Sequence, residues 1–141
     1  MIVAQVIKSF GGGGAQRAAV NLACGVAEHG HSSRLIAVGS LGNFASSVSA
    51  DIPGDSIGVS GVSAVPAGLG KMRRLLRSRK IDVVHVHGSG VLPFVAAAMM
   101  GLGRRPRLHF TWHDSSSVLG GSAAKRALTR WALGRCQSVS G

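Results

Sequence analysis

Lys8-Ser9-Phe10-Gly11-Gly12-Gly13-Gly14-Ala15-Gln16-Arg17 lies between an apolar run, Ile2 to Ile7, and a helical pattern. A glycine-only turn between a buried strand and a helix start lets the backbone come close to a ligand. Glycine also reaches positive φ with no Cβ penalty. The helix that begins near Ala15 turns its unpaired N–H groups and positive dipole end back on that turn. Gly12, Gly13 and Gly14 are therefore candidates for holding a phosphate or another anion. A tight turn that binds nothing would have the same sequence.

Spacing excludes two sharper readings. A P-loop needs Lys-Ser or Lys-Thr after its last glycine, and Gly14 is followed by Ala15-Gln16-Arg17. The dinucleotide fingerprint needs a third Gly or Ala three residues after the second glycine. That place holds Gln16 or Arg17, depending on which glycines are counted. It also needs an acid at the end of the second strand, where this chain reads Val38-Gly39-Ser40.

The chain's 141 residues suffice for one domain with a real core, and 45% of them are hydrophobic. Sixteen Lys and Arg against five Asp and Glu give a net charge of +11, which attracts phosphorylated ligands, anionic lipid or nucleic acid. The absence of Tyr and an aromatic content of 4% argue against base stacking, so nucleic acid is not expected as a partner. Cys24 and Cys136 have no metal spacing, and Cys24 reads as a thiol on the apolar side of a helix. The first apolar run, broken by Gln5 and Lys8, reads as a core strand rather than a signal peptide. The other long apolar run, Val91 to Leu102, is shorter than the roughly 20 residues a bilayer needs. A cytoplasmic protein is expected.

Ala15, Ala19, Leu22 and Val26 recur at helical spacing, and Gly30 stops that helix. Leu35 to Val38 reads as a second strand. Residues 39–66 are rich in Gly, Ser and Pro and read as loop, with a short strand over Asp55 to Val59. Leu69, Met72, Leu75 and Leu76 then mark an amphipathic helix. Its basic side, Lys71, Arg73, Arg74 and Arg77, is either a solvated face or a contact for an anionic membrane. Ile81 to Gly88 is a strand. Pro93 opens a helix that Gly101-Leu102-Gly103 ends. Arg107 to Trp112 is a strand, Ser122 caps a helix running to about Leu133, and Cys136 to Val139 begins another strand. The alternation predicts an α/β domain over residues 1–141 with a mostly parallel sheet.

Ligands of such sheets bind at the carboxyl ends of the strands. Three elements lie there: Gly11 to Gly14, His85 to Gly88, and His113 to Ser117. His85 and His87 share a strand face. Such a pair can hold a metal, with His113 or Asp114 as third ligand, bind a polar substrate, or be satisfied by the backbone. No other cluster supports a metal, and none is expected. His113 can bond a sugar hydroxyl, and Asp114 can orient an acceptor or act as a base. His109, deep in its strand, reads as structural.

Gly13-Gly14-Ala15-Gln16-Arg17, Asn21-Leu22-Ala23 and Glu28-His29-Gly30-His31 together resemble the opening of family 4 glycosyltransferases of the GT-B fold. Asp82 to Gly88 resembles that family's mid-domain strand. Thr111-Trp112-His113-Asp114 resembles the strand end carrying its active-site histidine, and Ser138-Val139-Ser140 its next strand. The likeness runs almost the whole length, in order. It implies the N-terminal half of a GT-B enzyme, a Rossmann-like sheet with helices on both faces. That half mostly binds the acceptor, facing a C-terminal domain that holds most of the nucleotide-sugar.

The resemblance also implies that Gly13 and Gly14 approach the donor diphosphate and that His113 contacts the transferred sugar. Beside these, Gly12 is a candidate for the phosphate, Asp114 for catalysis, and Gln16, Arg17, His85, His87 and Gly88 for the acceptor or substrate. The resemblance implies no cofactor beyond the nucleotide-sugar co-substrate, and a hexosyltransferase-type reaction onto a glycan or lipid-linked acceptor. A peripheral position on the inner face of the plasma membrane would suit such acceptors. Gln16 stands where the family often has Glu. The chain reads as ending within the first domain, so a truncated or split transferase, inactive alone, is expected. The alternative is a basic phosphate, nucleic-acid or membrane-binding module without catalysis.

Overall fold

A computed structural model describes residues 1–11, 13–42, 48, 51–113 and 121–141. Ile2–Ile7 forms β1, and Gly14–Glu28 forms α1. Ser32–Ala37 is β2 and Gly54–Ser56 is β3. A 3-10 turn over Val62–Ala64 leads into α2, Val65–Ser78. Then follow β4 (Val83–His87), α3 (Leu92–Met99), β5 (Arg107–Thr111), α4 (Ala123–Leu133) and β6 (Ser138–Ser140). The six strands form one sheet in the order β3-β2-β1-β4-β5-β6, and every pair is parallel.

That order turns back on itself between β1 and β4. Strands are added leftward from β1 and then rightward from β4. Right-handed crossovers in opposite directions place their helices on opposite faces. Accordingly α1 packs on one face through Ala19 and Ala23, against Ile7, Leu35 and Ala37. Helices α2, α3 and α4 pack on the other, where Met72, Leu76, Val95 and Ala132 meet Val6, Val84, Val86 and Phe110. The helices on both faces match the expected doubly wound arrangement.

Several boundaries differ from the sequence reading. Within residues 39–66 the expected short strand lies at Gly54–Ser56 rather than Asp55 to Val59, and the region also holds the 3-10 turn and the first turn of α2, where Pro66 sits in a position that needs no N–H donor. β2 begins at Ser32 rather than Leu35, because its first half pairs with β1 from Ile2 onward. Strand β6 is shifted to Ser138–Ser140, and Cys136 instead packs beneath α4. The first two crossover loops touch closely. The Gly39 N–H donates to the Lys8 carbonyl at 2.7 Å. Gly42, at φ +48°, sits where a Cβ would lie 2.1 Å from the Phe10 carbonyl oxygen. At Gly39 and Gly42 the chain after β2 therefore runs as bare backbone against the loop after β1.

Candidate functional site

The sheet reverses between β1 and β4, and the crevice outside their carboxyl ends is where open α/β sheets bind ligands. A cleft of about 290 Å³, with polar and apolar lining mixed, lies there. Its walls come from the end of β1 (Ile7, Lys8, Ser9), the start of α1 (Ala15, Gln16), the end of β4 (His87 to Val91) and Lys125 of α4.

The glycine turn behaves differently from expectation. Gly13 has φ −103°, and neither Gly11 nor Gly14 is among the positive-φ residues. Among the described residues of the turn, Gly11, Gly13 and Gly14 are not used for left-handed backbone. A Cβ at Gly11 or Gly14 would meet nothing within 4 Å, so the space before the α1 N-terminus is open to a ligand. Gln16 folds back over the turn: its Oε1 accepts from the Gly13 N–H, and its Nε2 donates to the Ser9 carbonyl at 2.6 Å. This is the N3 half of a capping box; glycine at the N-cap has no side chain to return the second bond. The Gln16 and Arg17 N–H groups point to the Gly13 carbonyl. Those of Gly14 and Ala15 are left as amides that the helix cannot satisfy itself.

On the α1 face, the in-register rows Gln5–His85–His109–Ser138 and His87–Thr111–Ser140 cross the sheet. His87 is 2% exposed. Its Nε2 lies 2.8 Å from Gln5 Oε1, and its Nδ1 lies 3.0 Å from His113 Nε2. His85 Nε2 lies 2.7 Å from Thr111 Oγ1, which lies 2.9 Å from Ser140 Oγ. His109 Nδ1 contacts Ser138 Oγ, the structural role expected for it. Burial pushes His87 down to about 3, helped by repulsion from His85 and then His113. Burial likewise pushes His85 down to about 4, helped by His109 and His113. Both rings are neutral near pH 7.

The expected residues thus divide. Gly88, at φ +92°, and His87 line the cleft, and Gln16 lines it while capping α1. His113 is exposed and joins the cleft through His87. His85 lies one strand step back, away from the cleft lining, and Arg17 is exposed outside it. Gly12 and Asp114 lie outside the described residues. Sequence reasoning missed Lys8 and Lys125, the two cations that line the cleft. Lys8 follows β1 directly, a signal that was legible. Lys125 reaches the cleft through the packing of α4, which no local pattern announces.

A second cleft, about 560 Å³, adjoins the first and shares Lys8, Ser9, Gly90 and Val91 with it. Val38, Val59, Val65 and Phe94 make it largely apolar. On α2, Lys71, Arg73, Arg74 and Arg77 are all exposed. Arg73 is not a free cation: its Nε and Nη2 donate to the Ala98 and Ala97 carbonyls at 3.1 and 3.2 Å, capping the end of α3. Among the described residues no three His, Cys, Asp or Glu are grouped to hold a metal ion. Among them, too, no helix is long and apolar enough to cross a membrane.

Comparison with known proteins agrees with this layout. The crystal structure of Acinetobacter baumannii MurG superposes with a TM-score of 0.72 at 16% identity, over 99% of this chain and 41% of that one. The chain therefore spans about 41% of the length of that structure. A search of curated protein sequences finds no match. The sequence model of Glycosyltransferase Family 4 matches residues 12–140. With that match over nearly its full length, on a sheet that turns back beside a glycine-lined helix start, the chain belongs to glycosyltransferase family 4.

Proposed function

We propose that this chain is the acceptor-side half of an enzyme that moves a hexose from a nucleotide-sugar to a glycan or lipid-linked acceptor. The observation that carries the reading is the cleft at the sheet reversal. Ala15 and Gln16 at the start of α1, Lys8, Lys125 and His87 line it, and His113 contacts His87. Backbone N–H groups and a helix dipole stabilise a leaving diphosphate in place, at little reorganisation cost. The lysines add opposite charge. His113 bonds the transferred sugar, with Asp114 next to it in sequence. The adjoining apolar cleft takes the aliphatic part of a lipid-linked acceptor, and Lys8 at the shared rim takes its phosphate. In this reading a facing second lobe holds most of the nucleotide-sugar.

Inorganic pyrophosphate titrated into the 15N-labelled chain tests this. Amides of Gly13 to Gln16 and Gly88 to Gly90 should shift together. Lys8→Gln and Lys125→Gln should each weaken binding about tenfold, a loss of about 1.4 kcal/mol. Shifts confined to the basic side of α2 would overturn the cleft as the diphosphate site. They would favour a membrane or polyanion-binding module instead.

A further inference from the structure

We infer that Gln5 and His87 are positioning residues that hold His113 as its Nε2–H tautomer, so that neutral His113 offers a ligand the lone pair of Nδ1. The argument runs outward from the sheet interior. Gln5 is 1% exposed on β1, and its Oε1 faces His87 Nε2 at 2.8 Å. A carbonyl oxygen only accepts, so His87 Nε2 carries the hydrogen. A neutral imidazole has one N–H, which leaves His87 Nδ1 as an acceptor. The atom 3.0 Å from that lone pair is His113 Nε2, which must therefore donate.

One further observation bears on the proton count of His87. Burial and the neighbouring His85 ring, 4.3 Å away between centroids, disfavour a second proton on His87. The His87 and His113 rings lie 5.3 Å apart, 20° from parallel. The chain thus crosses three strands, from buried β1 through β4 to the end of β5. An exposed histidine with no such backing would sample both tautomers.

The consequence concerns substrate chemistry. In its neutral form His113 accepts a hydrogen bond from a ligand hydroxyl rather than donating one. A hydroxyl-bearing ligand such as a sugar suits it, and a bare oxyanion does not until Nδ1 is protonated. That use rests on the sugar-transferase reading above; the tautomer does not.

Long-range 1H–15N correlation spectra of the histidine rings at pH 7.5 test the inference, with His113 identified by the signals lost in His113→Gln. His87 and His113 should both show one protonated Nε2 and one bare Nδ1. Gln5→Met, close in size but without an acceptor, should replace that pattern with mixed or reversed tautomers at both rings. His113 as the Nδ1–H tautomer in the unaltered chain would overturn the inference, and so would a His113 pattern unmoved in folded Gln5→Met. If Gln5→Met does not fold, the unaltered chain decides alone. Because no ligand is added, failure here is separable from failure of pyrophosphate to bind.

Discussion

His87 shows how a single buried residue ties stability to function. Its folded pKa, about 3, lies below the ordinary value of 6.5. Between those values the unfolded chain binds a proton that the native chain does not. Stability therefore falls as pH drops from about 6.5 toward 3, and is flat above 6.5. The slope from His87 is at most about 1.4 kcal/mol per pH unit. His85, pushed down to about 4, acts in the same direction. Urea midpoints should thus be lower at pH 5 than at pH 7.5, and His87→Gln should flatten the difference. Equal midpoints in the unaltered chain would contradict the burial of both rings. His87 was legible as a strand-end candidate in the pair His85-Val86-His87, but its partner was not. Gln5 lies 82 residues away, and only the β1–β4 register brings the two amino acids together.

Among the elements, α2 illustrates a conflict between local preference and packing. Alanine is favoured over glycine inside a helix by about 1 kcal/mol. At Gly68, however, an added Cβ would lie 2.4 Å from Val59 Cγ2 and 3.4 Å from both Ile57 and Phe94. Overpacking of this kind costs about 1–3 kcal/mol. Gly68→Ala should therefore lower the urea midpoint, whereas Gly70→Ala, which meets nothing within 4 Å, should raise it or leave it unchanged. A stabilised Gly68→Ala would mean that Val59 gives way. Since Val59 also lines the apolar cleft, the substitution should narrow that cleft as well. The α2 periodicity revealed its buried side, Met72 and Leu76, from sequence alone. Its true start at Val65 was hidden because Pro66 reads equally well as loop punctuation or as a first helical turn.

For the molecule as a whole, charge is the dominant surface property. The net +11 includes the lysines of the cleft and the exposed side of α2. If α2 docks on anionic lipid, Lys71→Gln with Arg74→Gln and Arg77→Gln should abolish co-sedimentation with phosphatidylglycerol vesicles and leave stability unchanged. Arg73→Gln should instead lower stability by about 1 kcal/mol, because it uncaps two carbonyls of α3. Equal binding to neutral and anionic vesicles would remove the electrostatic reading. The same basic surface made phosphate ligands a reasonable expectation from composition, but composition could not place them. Lys8 and Lys125, far apart in sequence, meet only across the cleft.

The alternation of apolar runs with helical periods, punctuated by glycine, was enough to determine an α/β sheet, the order of its elements and the strand ends where ligands gather. Those are local properties, set by backbone preference and by which face each segment buries. Tertiary structure decided the rest. Strand order put β4, not β2 alone, beside β1, and so made one cleft of the end of β1, the start of α1, Gly88 and His87. It also decided that Arg73 of α2 caps α3, and that Gln5 reaches His113 through His87. The physical reason is that a polar side chain takes whichever partner the packing brings within about 3 Å, and that partner is seldom its neighbour in sequence.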